Sequence, residues 1–177
     1  MSLLPSLNTI KGLCILDNDG KRVISKYYDA ADQTFATVKD QKSFESKMFK
    51  ATEKSSSEVV ALSNYTVVFR TNVDLLFYVI GDSMENELML LSVLNALFES
   101  MSLILRKNVE KRALFENMDS VLLIVDEIVD QGILLECDPN HVVNRVHVKN
   151  EDIPLSEQTV SQVSYDILKS FNWLSQS

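Results

Sequence analysis

The sequence has few of the residues on which small catalytic motifs depend. Its 177 residues include four glycines, three prolines, two cysteines and two histidines. Four scattered glycines cannot form the glycine-rich loops that bind dinucleotides or nucleotide phosphates. The sequence contains no Gly-x-Ser-x-Gly elbow, no Cys-x-x-Cys pair and no His-Glu-x-x-His helix. It therefore favours a protein without catalytic activity and predicts no cofactor.

Histidine and cysteine are also too sparse for a metal site or a disulfide framework. His141 and His147 are the only histidines, and a zinc site requires more ligands at suitable spacing. Cys14 and Cys137 lie in apolar or turn contexts without paired spacing. We expect no bound metal and two free thiols.

The charge and the start of the chain restrict the partners and the compartment. A net charge of −8 opposes nonspecific binding to the phosphates of nucleic acid. Residues 1–5 lack the basic start and the long apolar stretch of a secretory signal. We therefore expect a cytoplasmic protein that does not bind nucleic acid.

Residues 74–106 predict a buried strand followed by a long helix. The apolar run 75–80 is rich in aromatic and β-branched side chains, which is typical of a strand covered on both faces. Asp82 and Glu85 have capping-box spacing and predict that the helix begins there. At about 100° per residue, nine apolar side chains fall in an arc roughly 160° wide, broader than the stripe of a surface helix. They are Leu90, Leu91, Val93, Leu94, Leu97, Phe98, Met101, Ile104 and Leu105.

Other apolar residues of this helix lie outside the arc, namely Leu88, Met89 and Leu103. They need cover from residues 113–130 of the same chain or from a partner, so we treat them as candidate partner-binding residues. A membrane span is an alternative interpretation of the helix. It is disfavoured because Asn95 and Glu99 would lie at the middle of the bilayer, where polar groups are costly.

The rest of the chain predicts hairpins with helices packed on them. Strands are expected at 10–16, 23–28, 59–62 and 65–70, and helices at 34–51, 113–118, 120–131 and 141–146. The turn 17–20 does not fit a calcium loop, because its glycine comes early and Tyr28 stands where an acid is required. Short turns between consecutive strands predict an α+β fold with a largely antiparallel sheet and the order β-β-α-β-β-β-α-α-α.

Acidic residues crowd the end of the helix predicted over 120–131. Asp126 and Asp130 are like charges at i and i+4, and Glu127 adds a third acid where the helix dipole favours cations. Such a conflict indicates a partner or a neighbouring basic group, so Asp126 and Asp130 are also candidate partner-binding residues. The candidates for neutralising them within the chain are Lys107, Lys111 and Arg112. A paired-carboxylate catalytic site is the alternative, but no motif places a His, Ser or Cys nearby.

Several short stretches resemble the small subunits of clathrin adaptor complexes and coatomer. Residues 15–22 and 26–28 are similar to the first hairpin of these subunits. The stretches that resemble the zeta branch of coatomer are residues 77–81, 85–88, 106–112 and 125–132. Each stretch is short, but their joint order is specific. The resemblance covers roughly residues 8–150, and it predicts a domain at 1–150 followed by a C-terminal extension at 151–177. Within the extension, Ser156 and the apolar spacing after it predict a capped amphipathic helix.

The resemblance implies a longin-like fold, in which helices flank a five-stranded antiparallel sheet. It also implies a non-catalytic coat subunit that binds the trunk of the gamma subunit of coatomer and assembles with the other coatomer subunits. An Arf-family GTPase would recruit the coat to the periphery of Golgi membranes and vesicles, for Golgi-to-endoplasmic-reticulum and intra-Golgi transport. The dileucine-cargo pocket of clathrin adaptor small chains is not implied, because polar Asn108 lies near the position of an apolar lining residue.

Two other functions stay open on the sequence. A longin-type trafficking regulator or tethering-complex subunit would bind partners outside the coat. A small hydrolase would lose turnover, but not its fold, on replacement of Asp126 or Asp130.

Overall fold

The computed structural model describes residues 9–29, 32–53, 55 and 57–151. The chain divides into a unit of residues Met1–Val146 and a second unit of residues His147–Ser177. In the second unit, only the end of one helix, up to Glu151, is described. The helix predicted after Ser156 and nearly all of the predicted extension lie outside the described residues.

Five strands form one antiparallel sheet with the order β2-β1-β5-β4-β3. They are β1 (Ile10–Asp17), β2 (Arg22–Tyr27), β3 (Val59–Leu62), β4 (Tyr65–Asn72) and β5 (Leu75–Asp82). The chain therefore builds the two edges of the sheet first and places β5 between them last. The predicted α+β class and the five-stranded antiparallel sheet are confirmed.

Five helices and a small hairpin accompany the sheet. The helices are α1 (Val38–Glu53), α2 (Glu87–Ile104), α3 (Lys111–Glu116), α4 (Met118–Ile128) and α5 (Pro139–Glu151), and the hairpin consists of β6 (Val129–Asp130) and β7 (Ile133–Leu134). The sequence pattern missed the hairpin because strands of two residues have no detectable period. Its turn is nevertheless visible in the sequence as Gln131-Gly132, which have φ values of 48° and 80°, as a tight two-residue turn requires.

Strand β5 is buried on both faces because helices cover both sides of the sheet. The pleat sends alternate side chains to opposite faces. Leu75, Phe77 and Val79 pack with α2, whereas Leu76, Tyr78 and Ile80 pack with Phe44 and Met48 of α1. The apolar run 75–80 therefore serves two separate cores.

Helix α2 is the main core helix on its side of the sheet. It packs on β4, β5 and α4. Its buried residues are Leu90, Val93, Leu94, Ala96, Leu97, Ser100 and Met101. Among the described residues it alone has the length and composition of a membrane-crossing helix, with a mean hydropathy of 1.5. Packing on the sheet accounts for this apolar character.

The prediction that Asp82 and Glu85 begin α2 is wrong. Asp82 is the last residue of β5, where it pairs with Tyr65 of β4, and its carboxylate accepts a hydrogen bond from the N–H of Met84 at 3.2 Å. The helix begins at Glu87, and Oδ1 of Asn86 accepts a hydrogen bond from the N–H of Leu88 at 2.9 Å. Asp82 does not cap the helix because it is part of the paired strand β5.

The predicted start of α1 at residue 34 is also wrong. The helix begins at Val38, and Oγ1 of Thr37 accepts a hydrogen bond from the N–H of Asp40 at 3.2 Å. Phe35, whose carbonyl accepts a hydrogen bond from the side chain of Gln41 at 3.0 Å, precedes the helix but is buried in the core. In the sequence pattern, the apolar side chain of Phe35 therefore looks like one more residue of the buried helix face.

A buried carboxylate ties α1 to the sheet. Glu45 of α1 is 3% exposed. Its carboxylate accepts hydrogen bonds from Nε of Arg22 at 3.0 Å and from the hydroxyl of Tyr27 at 2.8 Å. Burial raises the pKa of Tyr27 well above its ordinary value. Both groups that bind Glu45 therefore carry their protons at neutral pH and act as donors.

Candidate partner-binding surface on helix α2

The outward face of α2 carries an exposed leucine near each end. Leu88 is 71% exposed and Leu103 is 49% exposed, while Ser92 and Glu99 are exposed between them. At a rise of 1.5 Å per residue, the two leucines are about 22 Å apart along the helix axis. The predicted alternative, in which residues 113–130 cover these leucines, does not hold. Both remain available to a partner.

Met89 differs from these two leucines because the chain itself covers most of its side chain. It is partly buried and packs against the core on the α2 side of the sheet. The hydroxyl of Thr9 contacts its sulfur at 3.9 Å. Met89 therefore anchors the start of α2 beside the start of β1.

The five predicted partner-binding residues lie at two ends of the sheet. One end of the sheet contains the start of β1, and three contacts identify the residues that lie there. Thr9 meets Met89, the N–H of Ile10 donates to the carbonyl of Gly132 at 3.0 Å, and Lys26 meets Asp126. Leu88, Met89, Asp126 and Asp130 belong to this end. Leu103 lies at the opposite end of α2, so the structure does not unite the five residues in one site.

The acids at the end of α4 have partners other than those predicted. The ammonium of Lys26 lies 2.6 Å from the carboxylate of Asp126, and Arg145 lies 3.5 Å from Glu127. Asp130 is exposed and belongs to β6 rather than to the helix. The end of α4 thus faces β2 and α5.

The basic residues that were predicted to neutralise these acids lie elsewhere. Lys111 binds Asp17 at 2.7 Å, and Arg112 binds Glu116 at 2.9 Å within its own helix. Lys107 lines a groove beside Leu103. The prediction was wrong because these residues follow the far end of α2.

The negative charges of Asp126 and Asp130 affect the pKa of the nearby Tyr28. The hydroxyl of Tyr28 donates a hydrogen bond to the carbonyl of Val129 at 3.3 Å. Burial raises the pKa of Tyr28, and the charges of Asp126 and Asp130 raise it further. Tyr28 therefore stays neutral at physiological pH, and it fixes the β6–β7 hairpin beside β2.

A groove of about 350 Å³ lies at the Leu103 end of α2. Leu103 and Lys107 line it together with Arg70, whose guanidinium lies 3.9 Å from the ring centre of Phe98. Pro139 at the start of α5 forms part of the wall. This end of the helix combines an exposed apolar side chain with cationic neighbours.

The sequence pattern missed Met84, which is 90% exposed. It lies in the turn between β5 and α2, four residues before Leu88. The signal was present, because Met84 stands among polar residues in a segment that cannot belong to the arc of the helix. Because the helix was predicted to begin at residue 82, Met84 was assigned to the helix and its exposure in the turn was overlooked.

The described residues offer little for catalysis. Within them, no group of three or more His, Cys, Asp and Glu side chains is placed to hold a metal ion. Cys14 is buried, and burial raises the pKa of its thiol well above the ordinary value, with the charge of Glu45 adding to the effect. Cys14 and Cys137 are both free.

Comparison with known proteins identifies the family of the chain. Residues 9–153 match the family described as clathrin adaptor complex small chain. The chain is 55% identical to coatomer subunit zeta-1 of Homo sapiens over 171 residues, covering 97% of this chain and 95% of that protein. It is 43% identical to coatomer subunit zeta-1 of Arabidopsis thaliana over 159 residues, covering 86% of this chain and 88% of that protein.

A solved structure shows the same fold. A chain of "Homology model of the full-length AP-3 complex in a stretched open conformation" superposes with a TM-score of 0.59 at 20% sequence identity. The superposition covers 80% of this chain and 94% of that chain. This likeness confirms the longin-like adaptor fold. From the fold and the sequence match together, the chain belongs to the clathrin adaptor complex small chain family, in the branch of the coatomer zeta subunits.

Proposed function

We propose that this protein is a non-catalytic subunit of the coatomer coat that binds the trunk of the gamma subunit. The observation that carries the proposal is the similarity to coatomer zeta-1 along almost the whole chain. An assembly subunit needs a stable fold and an exposed binding surface, and it needs neither a cofactor nor a catalytic residue. The described residues fit that requirement.

The exposed face of α2 supports a binding role and suggests where the partner binds. A single exposed leucine is ordinary on a protein surface. Here Leu88 and Leu103 lie on the outward face of α2, whose opposite face carries seven buried residues and would hold a binding surface in place. Met89 positions the start of that face, and Asp126 and Asp130 supply negative charge at the same end.

The remaining parts of the proposal follow from the zeta relatives. The subunit assembles with the other coatomer subunits, meets an Arf-family GTPase through the coat, and stays at the periphery of Golgi membranes and coated vesicles in the cytoplasm. It supports coat assembly for Golgi-to-endoplasmic-reticulum and intra-Golgi transport, without binding nucleic acid.

The proposal is tested by purifying the tagged chain from cells of its own organism. The gamma subunit is expected in equal amount, and isolation as a monomer without a large partner would contradict the proposal. Leu88→Glu and Leu103→Glu each place a charge on the proposed surface and should reduce recovery of the gamma subunit. Val38→Glu is a matched control, because Val38 at the start of α1 is 59% exposed and α1 packs on the other face of the sheet.

A further inference from the structure

The turn before α2 presents an unusual pair of exposed apolar side chains. Met84 is 90% exposed and Leu88 is 71% exposed, and no large apolar side chain in the described part of the chain is more exposed than Met84. Four residues separate them, so their Cα atoms are at most about 14 Å apart. Methionine adapts its shape to a partner and is frequent at binding surfaces. The pair is suited to contact apolar side chains of another protein.

Acidic side chains surround this pair. Asp82 precedes Met84, and Glu85 and Glu87 lie between Met84 and Leu88; Glu87 is exposed, whereas Asp82 and Glu85 are partly exposed. The sequence contains no lysine or arginine between Arg70 and Arg106. The local charge at the start of α2 is therefore strongly negative.

Neighbouring elements do little to offset this charge. Lys11 of β1 binds Asp29 at 3.1 Å, and Lys26 of β2 binds Asp126 at 2.6 Å. Lys47 of α1 is exposed and lines a cavity with Asn64 and Tyr65 at this end, but α1 packs on the face of the sheet opposite α2. The cations of β1 and β2 at this end are already paired with acids of the same chain.

The turn is held by hydrogen bonds before any partner arrives. The N–H of Ser83 donates to the carbonyl of Asn64 at 3.0 Å, and the N–H of Glu85 donates to the carbonyl of Asp82 at 3.1 Å. The carboxylate of Asp82 accepts from the N–H of Met84, and Asn86 caps the helix. A preformed surface avoids the entropic cost of ordering a loop on binding.

We infer that residues 82–88 dock a segment of the coat partner in which apolar side chains are flanked by lysine or arginine. This inference rests on the proposed function and adds the chemistry of the bound segment. Burial of Met84 and Leu88 would supply affinity, and Asp82, Glu85 and Glu87 would select basic flanks and speed association. The same acids repel anionic lipid headgroups and acidic peptides, so the occupant is a basic, apolar protein segment.

The inference is tested by measuring binding of the full chain to the purified gamma subunit at low and high salt. Met84→Ser with Leu88→Ser should weaken binding at both salt concentrations by at least about tenfold, as loss of central apolar contacts does. Glu85→Gln with Glu87→Gln should weaken binding by about tenfold at low salt and flatten its salt dependence. Glu58→Gln with Glu110→Gln, which remove exposed acids elsewhere, should leave both measurements unchanged. Circular dichroism confirms that each variant is folded.

The possible failures are distinguishable. Absence of binding by the wild-type chain overturns the proposed function and this inference with it. Wild-type binding that neither pair of substitutions weakens overturns the inference and leaves the proposed function standing. Tighter binding after loss of Glu85 and Glu87 would indicate an acidic partner segment, and binding of the wild-type chain to phosphatidylserine vesicles would indicate a membrane. Either result overturns the inference.

Discussion

The ammonium group of Lys111 donates a hydrogen bond to Oδ2 of Asp17 at 2.7 Å and joins the start of α3 to the end of β1. The same carboxylate accepts hydrogen bonds from the N–H groups of Asp19 and Lys21 at 3.0 and 2.8 Å. Burial raises the pKa of Asp17, but these hydrogen bonds lower it by more, so the pKa lies below its usual value of 3.8. One carboxylate thus organises a turn and holds the start of a distant helix.

Replacing Asp17 should lower the free energy of unfolding and make it less dependent on pH in the acidic range. Because the folded state depresses this pKa, the stabilisation is present above the unfolded value and is lost as the pH falls through the folded value. Asp17→Asn should lower the free energy of unfolding at neutral pH by about 1–2 kcal/mol. Urea titrations should therefore show a difference in stability between the variant and the wild type at neutral pH, and this difference should narrow as the pH falls below about 4. Asp19→Asn, at an exposed position, is the control, and an unchanged pH dependence in Asp17→Asn would contradict the assignment.

Replacing Glu45 should be costly because it leaves the partly buried cation of Arg22 without its partner. Glu45→Ala removes the acceptor for Arg22 and Tyr27, and we expect unfolding to become easier by about 2–3 kcal/mol. Arg22→Met combined with Glu45→Leu should restore part of that loss, since no charge is then stranded. Lys42→Ala, on the exposed side of α1, should change stability by less than about 0.5 kcal/mol. Equal losses in Glu45→Ala and Lys42→Ala would refute the structural role of the carboxylate.

Replacing Ser100 should stabilise the protein. Its side chain is fully buried in α2, and its hydroxyl has no hydrogen-bond partner within the described part of the chain. Ser100→Ala removes that unsatisfied group and favours the helix, so the free energy of unfolding should rise by about 1 kcal/mol. Ser92→Ala on the exposed face of α2 provides the comparison in the same denaturation experiment. A loss of stability in Ser100→Ala would show that the hydroxyl does have a partner.

Replacing Leu103 should leave the isolated subunit folded. Because Leu103 is 49% exposed, Leu103→Glu should change the free energy of unfolding by no more than about 0.5 kcal/mol. Leu97→Glu, in the core of the same helix, should prevent folding because it buries an unpaired charge. Thermal unfolding followed by circular dichroism separates the two. Unfolding of both variants would mean that the chain itself covers Leu103, and the proposed surface would lose one end.

The sequence predicted the sheet well because its strands are long and joined by short turns. The run 75–80 and the turn after Asp17 carry strong local signals, and both appear where expected. The helix starts were predicted poorly, because Asp82 and Phe35 take part in pairing and packing that no local pattern reveals. The partner of Asp126 is Lys26, which lies 100 positions away, so sequence spacing pointed to the wrong lysines.

The candidate surface could be predicted only in part, because it also depends on contacts between distant segments. Helical spacing correctly placed Leu88 and Leu103 off the buried arc. It could not show that Thr9 and the core cover Met89, nor that the turn before α2 exposes Met84. Contacts between distant segments decide both.

The order of the strands also governs how the chain folds during synthesis. Strand β1 gains its second neighbour only after β5 has been synthesised. The paired residues of β1 and β5 are more than about 50 positions apart in the sequence. Until then the first hairpin has an open inner edge, and such non-local pairing is slow compared with hairpin formation. A nascent chain that ends before Leu75 therefore presents unpaired strand edges, which a chaperone or an early-binding partner subunit would protect.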